Sequence, residues 1–217
     1  MKTKQTTKWG LISIILLPIL YLIYLWNKIP SQVPMHFDIN GTVDRYGSKS
    51  ELILVTMLPL FIYGLMLLIY KLDPKKQIEN MGNKYNSLTF IIVLFMSIVA
   101  IYMIYTSVHT TSVNSNFIFL LVGGLFMLLG NFFKTIKPNY FIGIRTPWTL
   151  ENEEVWIKTH KFSGYLWIAG GFLIMICALL FSAEIAFYSV MSIILTLVAV
   201  VVIFSYLKYK EIEKRRV

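Results

Sequence analysis

The chain has 217 residues, of which 57% are hydrophobic and only 14% charged, with a mean hydropathy of +0.67, a balance that excludes an ordinary water-soluble domain. Its net charge of +9 needs no DNA or RNA partner, because the basic residues lie in the connections of a membrane chain, where anionic lipid headgroups suffice as counterpart. A single cysteine, Cys177, excludes an internal disulfide and any cysteine-rich metal site.

Six stretches contain no Asp, Glu, Lys, Arg or His: Trp9–Trp26, Leu52–Tyr70, Leu88–Thr106, Asn116–Phe133, Gly164–Phe181 and Phe187–Leu207. Each has the length of a membrane-crossing helix, and in lipid a helix satisfies its own backbone amides. The fold class expected is therefore an all-α, polytopic bundle of six transmembrane helices. The first stretch follows Lys2, Lys4 and Lys8 as a signal peptide would, but no small-residue cleavage site follows Trp26, so it is read as a retained helix. Pro18 and Pro59 fall near the middle of the first two spans and should bend them, chiefly to fit neighbours. Gly123-Gly124 with Gly130, and Ala169-Gly170-Gly171, mark places where helices approach closely.

The connection after the first span, from Ile29 to Lys49, carries two prolines, an Asn40-Gly41 turn signal preceded by apolar/polar alternation, and Gly47. These features predict an ordered, hairpin-like loop. The connection after the fourth span runs through Asn139, Gly143, Arg145, Thr146, Pro147 and Trp148 to Trp156 and His160. Thr146 or Thr149 can cap a helix there, Pro147 suits its first turn, and Glu151, Glu153 and Glu154 suit the positive end of its dipole. Leu150, Val155, Trp156, Thr159 and Phe162 share one face, so the segment is expected to lie along the interface or cover the bundle, with Trp148 and Trp156 as interfacial anchors.

Charge placement sets the orientation. Lys2, Lys4, Lys8, Lys71, Lys75, Lys76, Lys84, Lys134, Lys137, Arg145, Lys158, Lys161, Lys208, Lys210, Lys214, Arg215 and Arg216 fall on one side, leaving Lys28, Arg45 and Lys49 on the other. Basic residues are retained inside, so both termini are expected to be cytoplasmic and the Ile29–Lys49 loop to face out. The spans hold no ionisable group, which argues against a proton pump or an ion-coupled carrier. Only four of the basic residues are Arg, and two of these, Arg45 and Arg145, sit in the long loops, where a planar guanidinium can make bidentate contacts. Arg45 is expected to hold Asp44, Asp38 or a loop carbonyl, and Arg145 an inner-face glutamate or a lipid phosphate. His36 and Asp38 with His109 or Glu184 share a face but lack diagnostic metal-site spacing, so a hydrogen-bonded His36 is preferred and no metal or other cofactor is expected. No nucleophile motif or HExxH occurs, and the chain is not read as an enzyme.

The two long loops resemble the signatures of the SdpI family of bacterial immunity membrane proteins. The outer resemblance runs from Leu17-Pro18 through Val33-Pro34-Met35-His36-Phe37-Asp38, Asn40-Gly41 and Asp44-Arg45-Tyr46-Gly47-Ser48-Lys49, and is similar to the DUF1648 module. The inner one runs from Gly130-Asn131 through Lys137-Pro138-Asn139-Tyr140-Phe141-Ile142-Gly143-Ile144-Arg145-Thr146-Pro147-Trp148-Thr149-Leu150 to Val155-Trp156 and Thr159-His160. The resemblance implies a DUF1648-like hairpin over residues 1–70 and an SdpI-like region over 71–217, with the motif loop at 134–162. It implies a multi-pass cell-membrane protein that protects a bacterium, expected to be Gram-positive, against a secreted toxin peptide of the sporulation-delaying type. In some members it further implies the holding of a cytoplasmic transcriptional repressor at the membrane. The expected toxin-facing residues are His36, Asp38, Asn40, Asp44, Arg45 and Tyr46; the expected inner-loop residues are Asn139, Arg145, Thr146, Trp148, Trp156 and His160. The partners expected are the toxin peptide, the repressor and membrane lipids, with no direct nucleic acid. An enzyme or carrier acting on a lipid or envelope precursor is the alternative.

Overall fold

A computed structural model describes residues 5–109, 114 and 116–215, with side chains from Lys8 onward; Lys2, Lys4 and Arg216 of the charge count lie outside the described residues. The order is α1 (Gln5–Leu25), β1 (Gln32–Phe37), β2 (Val43–Ser48), α2 (Glu51–Leu72), α3 (Asn83–Val108), α4 (Asn116–Phe133), α5 (Pro147–Glu151), α6 (Glu153–Leu180) and α7 (Ala183–Lys214). Among the described residues six helices are long and apolar enough to cross a membrane, as the charge-free stretches predict. Their outward faces carry exposed Leu, Ile, Val and Phe side chains, which only lipid can cover. Pro18 and Pro59 lie inside α1 and α2 and are both buried, so they sit on faces packed within the protein.

The helices pack in two groups. One is α1, α2 and α3; the other is α4, α6 and α7, in which α4 and α6 run backbone against backbone. A Cβ added at Gly123 would stand 2.7 Å from the Gly171 carbonyl, and one at Gly130 would stand 2.7 Å from that of Gly164. Such glycine pairs let two helices close to a distance at which dispersion and weak polar contacts replace the hydrophobic drive that lipid removes. Gly170 instead faces Leu197 of α7, and Gly124 faces open space, so Gly124 is no contact position while Gly164 is.

Two apolar clusters lie at opposite ends of the bundle. At one end Met66, Tyr85, Leu88, Phe132, Phe133, Ile136 and Trp156 join the two helix groups, and the Tyr85 hydroxyl donates to the Met66 carbonyl at 2.6 Å. At the other, Leu22, Leu25, Ile29, Val33, Leu52 and Ile104 fasten the β-hairpin to α1, α2 and α3. The long α6 and α7, of 28 and 32 residues, exceed the ~20 that cross a hydrocarbon core and extend past it. Charged contacts dress that extension: Lys158 pairs with Glu154 at 2.7 Å, and Lys208 and Arg215 both pair with Glu211 at 2.5 Å.

The inner segment departs from expectation. Asn152 has an extended backbone and divides it, its side chain accepting from the Glu154 and Val155 amides at 2.9 and 3.2 Å, so α5 is only five residues long and the rest is the first turns of α6. The stretch is therefore not one continuous helix. Val155, Trp156 and Thr159 are buried as their shared face predicts, but Leu150 is exposed because the break turns α5 away. Trp156 is fully buried and therefore is not an interfacial anchor.

Candidate functional site

The hairpin end is built by its own short-range chemistry. β1 and β2 pair antiparallel, Val33 opposite Gly47 and His36 opposite Arg45, with the register slipping around Met35. Asp38 makes the turn: one carboxylate oxygen accepts from the Asn40 and Thr42 amides at 2.9 and 2.8 Å, and the other from the Thr42 hydroxyl at 2.8 Å. The Thr42 hydroxyl above all, with its amide and Asn40, holds the Asp38 carboxyl below the usual carboxylate range. Gly41 takes φ +80°, the left-handed conformation that the Asn-Gly signal predicts. Gly47 leaves room for the Met35 and Glu51 side chains, and Glu51 accepts from the Ser48 amide at 2.9 Å at the start of α2.

At the hairpin end of α3, α4 and α7 the hairpin roofs a cleft of about 610 Å³. Its walls include Met35, Phe37, Val99, Met103, Phe119 and Phe187, with His36, Asp38, Asp44 and Tyr102 as polar lining. The Tyr102 hydroxyl is engaged, donating to the Asn114 carbonyl at 2.6 Å. His36 Nδ1 lies 2.6 Å from an Asp44 oxygen, and both side chains are about half exposed. Arg45 does not hold Asp44 or Asp38; its guanidinium faces Glu51 at 3.9 Å, since strand alternation and the bulge direct it to the α2 side. Asn40, Arg45 and Tyr46 are exposed at this end but do not line the cleft. Val99, Tyr102, Met103, Phe119 and Phe187 carry no sequence signal, because they are ordinary span residues until three helices and the hairpin bring them together.

At the opposite end the Lys137–Thr149 motif folds onto α6. The Asn139 side chain closes a turn, donating to the Lys137 and Ile142 carbonyls and accepting from the Phe141 and Ile142 amides, all within 3.0 Å. Gly143 follows at φ +124°, and a Cβ there would stand 2.5 Å from His160 Nε2 and 3.0 Å from the Trp156 ring. The Ile144 amide donates to that same Nε2 at 2.8 Å, while His160 Nδ1 donates to the Trp156 carbonyl at 2.9 Å. Accepting at Nε2 leaves no site for a second proton, so the ring is neutral with its proton on Nδ1. Trp156 stacks on His160 with centroids 4.1 Å apart and donates to the Ile136 carbonyl at 3.1 Å. Thr146 caps α5 reciprocally with Thr149, and Trp148 donates to the Ser205 hydroxyl of α7 at 2.7 Å. Asn139, Trp156 and His160 are thus buried and occupied within the chain, whereas Arg145 is exposed and among the described residues has neither an ion-pair nor a hydrogen-bond partner. The expected glutamate partner of Arg145 is not there.

His109 stacks on Tyr105 at 4.5 Å, and among the described residues no three His, Cys, Asp or Glu side chains gather as metal ligands. A six-span membrane protein with a β-hairpin roof over a cleft at one end and a tightly knotted motif loop at the other is the class defined by this architecture. Residues 135–208 match the SdpI/YfhL protein family, and residues 13–62 match a domain of unknown function, DUF1648. The Immunity protein SdpI of Bacillus subtilis (strain 168) is 29% identical over 218 residues, spanning 96% of this chain and 100% of that protein. These matches make the chain similar to the SdpI family at both of its long loops, and its six apolar helices make it a multi-pass cell-membrane protein. No solved structure matches the chain.

Proposed function

We propose that this protein is a membrane immunity protein that protects the bacterium carrying it from a secreted, membrane-active peptide of the sporulation-delaying type. The observation that carries the reading is the end-to-end similarity to a protein named for immunity. Charge placement supports an orientation with both termini cytoplasmic and the hairpin outside, so an arriving peptide meets the cleft first. In this reading residues 1–70 present the hairpin, with His36, Asp38, Asn40, Asp44, Arg45 and Tyr46 forming the toxin-facing surface, and residues 71–217 supply the rest of the bundle and the inner motif loop. Deleting the gene and challenging cells with a panel of such peptides tests it. Increased sensitivity to at least one is expected; unchanged sensitivity across the panel refutes it.

A second activity, holding a cytoplasmic repressor at the membrane, is favoured by the exposed and unpartnered Arg145 beside Trp148 at the motif end. Asn139, Thr146, Trp156 and His160 then act by shaping the loop that presents Arg145. Pull-down with the wild-type chain should recover a DNA-binding repressor that Arg145→Glu loses. Recovery of none, with peptide present, removes this activity and leaves immunity untouched.

A further inference from the structure

The geometry points to a ligand class for the hairpin cleft: a cationic amphipathic peptide segment, its apolar face seated on Phe37, Phe119 and Phe187 and a Lys, Arg or terminal amine set against Asp44. This inference rests on the reading of the hairpin end as the peptide-facing side. It goes further by fixing the chemistry of the partner and the atoms that meet it.

The cleft's volume of about 610 Å³ holds several side chains, and its walls are mainly apolar. An occupant must therefore bring apolar groups. Charge then chooses among apolar occupants. Two carboxylates, Asp38 and Asp44, line the cleft, and His36 is the only basic side chain among its lining residues. The other cations of this end are engaged elsewhere: Lys28 lies over the Tyr24 ring at 5.4 Å, Lys49 over the Trp26 ring at 4.7 Å, and Arg45 faces Glu51. An anionic lipid headgroup would meet two like charges here, whereas a cation finds them complementary, the more so at the edge of a low-dielectric bilayer.

The two acids are not equivalent. Both Asp38 oxygens are used in making the hairpin turn. Asp44 has one oxygen bonded, to His36, and its other oxygen has no partner among the described residues. Asp44 is thus the carboxylate left to receive a cation, and His36 is positioned to hold it in place from the opposite side.

The test uses the full chain in zwitterionic phosphatidylcholine nanodiscs, with a fluorescent leucine–lysine amphipathic helical peptide and its leucine–glutamate counterpart as probes. The leucine–lysine peptide should bind protein-bearing discs at least about tenfold more tightly than empty ones, and the leucine–glutamate peptide should show no such gain. Asp44→Asn, at an exposed position, and Ile118→Trp, which fills the cleft, should each remove most of that gain; Asp44→Lys replaces the second if it does not accumulate. Equal binding of the two peptides, or variants that bind as the wild type does, overturns the inference. So does native mass spectrometry that finds phosphatidylglycerol retained by the wild type and lost from Ile118→Trp. Survival assays with the same variants separate the two readings. A wild-type chain that protects against no peptide in cells defeats the immunity reading while the nanodisc result stands. Protection that persists in both variants defeats the cleft assignment and leaves immunity intact.

Discussion

Replacing Gly143 by Ala should unlock the motif loop. Its backbone sits at φ +124°, a region that costs an L-residue of order 1–3 kcal/mol. The new methyl would also lie 2.5 Å from His160 Nε2, the acceptor of the Ile144 amide, and 3.0 Å from the Trp156 ring. Neither ring can withdraw freely, since Trp156 is fully buried and bonded to the Ile136 carbonyl and His160 is bonded to the Trp156 carbonyl. Losing the Ile144 bond adds about 1–3 kcal/mol for a buried acceptor left unpaired, and the terms overlap because one shift relieves both. A net local destabilisation of about 2–4 kcal/mol corresponds to roughly 30- to 1000-fold faster amide exchange at Ile144. Hydrogen exchange of the full chain in nanodiscs, read on peptides covering residues 137–146, measures this directly. The span helices should keep their protection. An Ile144 amide that exchanges at the wild-type rate in Gly143→Ala would show that the loop does not depend on this close approach.

The two adjacent glycines of α4 should behave oppositely. Gly123→Leu must drive α4 off α6, because even a Cβ there meets the Gly171 carbonyl at 2.7 Å, while Gly124→Leu enters open space; thermal stability in detergent should fall by several degrees for the first and hardly move for the second. Asp38→Ala removes the acceptor for two turn amides and should broaden the resonances of Asn40 and Thr42 without loosening the spans. The same turn should respond to acid: Asp38 has a lowered folded-state pKa, so its contribution is complete above the ordinary carboxylate value and is lost as pH falls through the lower folded one, which Thr42 amide shifts will follow. Labelling of a cysteine placed at exposed Asn40 by an impermeant reagent should succeed on intact cells; labelling only after lysis would reverse the orientation and with it the peptide-facing surface.

Much of the architecture was legible because its causes are local. A charge-free run of span length has one stable form in lipid, and the Asn40-Gly41 turn, preceded by a short alternating segment, is a local signal for a hairpin. Thr146 and Pro147 announced the start of α5 for the same reason. The break at Asn152 was not legible, since its cap function competes with a helical pattern that continues on both sides. The motif residues were recognisable as a group, but their division of labour was not: whether Trp156 faces lipid or core depends on Phe133, Ile136 and Gly143 arriving from another segment.

The sequence by itself determined six spans, an ordered hairpin, the bias of basic residues to one side and a family likeness, because each depends on composition or on neighbours a few positions away. Tertiary structure alone decided that Gly123 and Gly130 meet Gly171 and Gly164, that His160 is spent on Ile144, that Arg145 has no partner among the described residues, and that Phe119 and Phe187 line one cleft with Asp44. Those are contacts between helices far apart in the chain, and inside lipid every helix is apolar enough that hydropathy cannot say which face will find which neighbour.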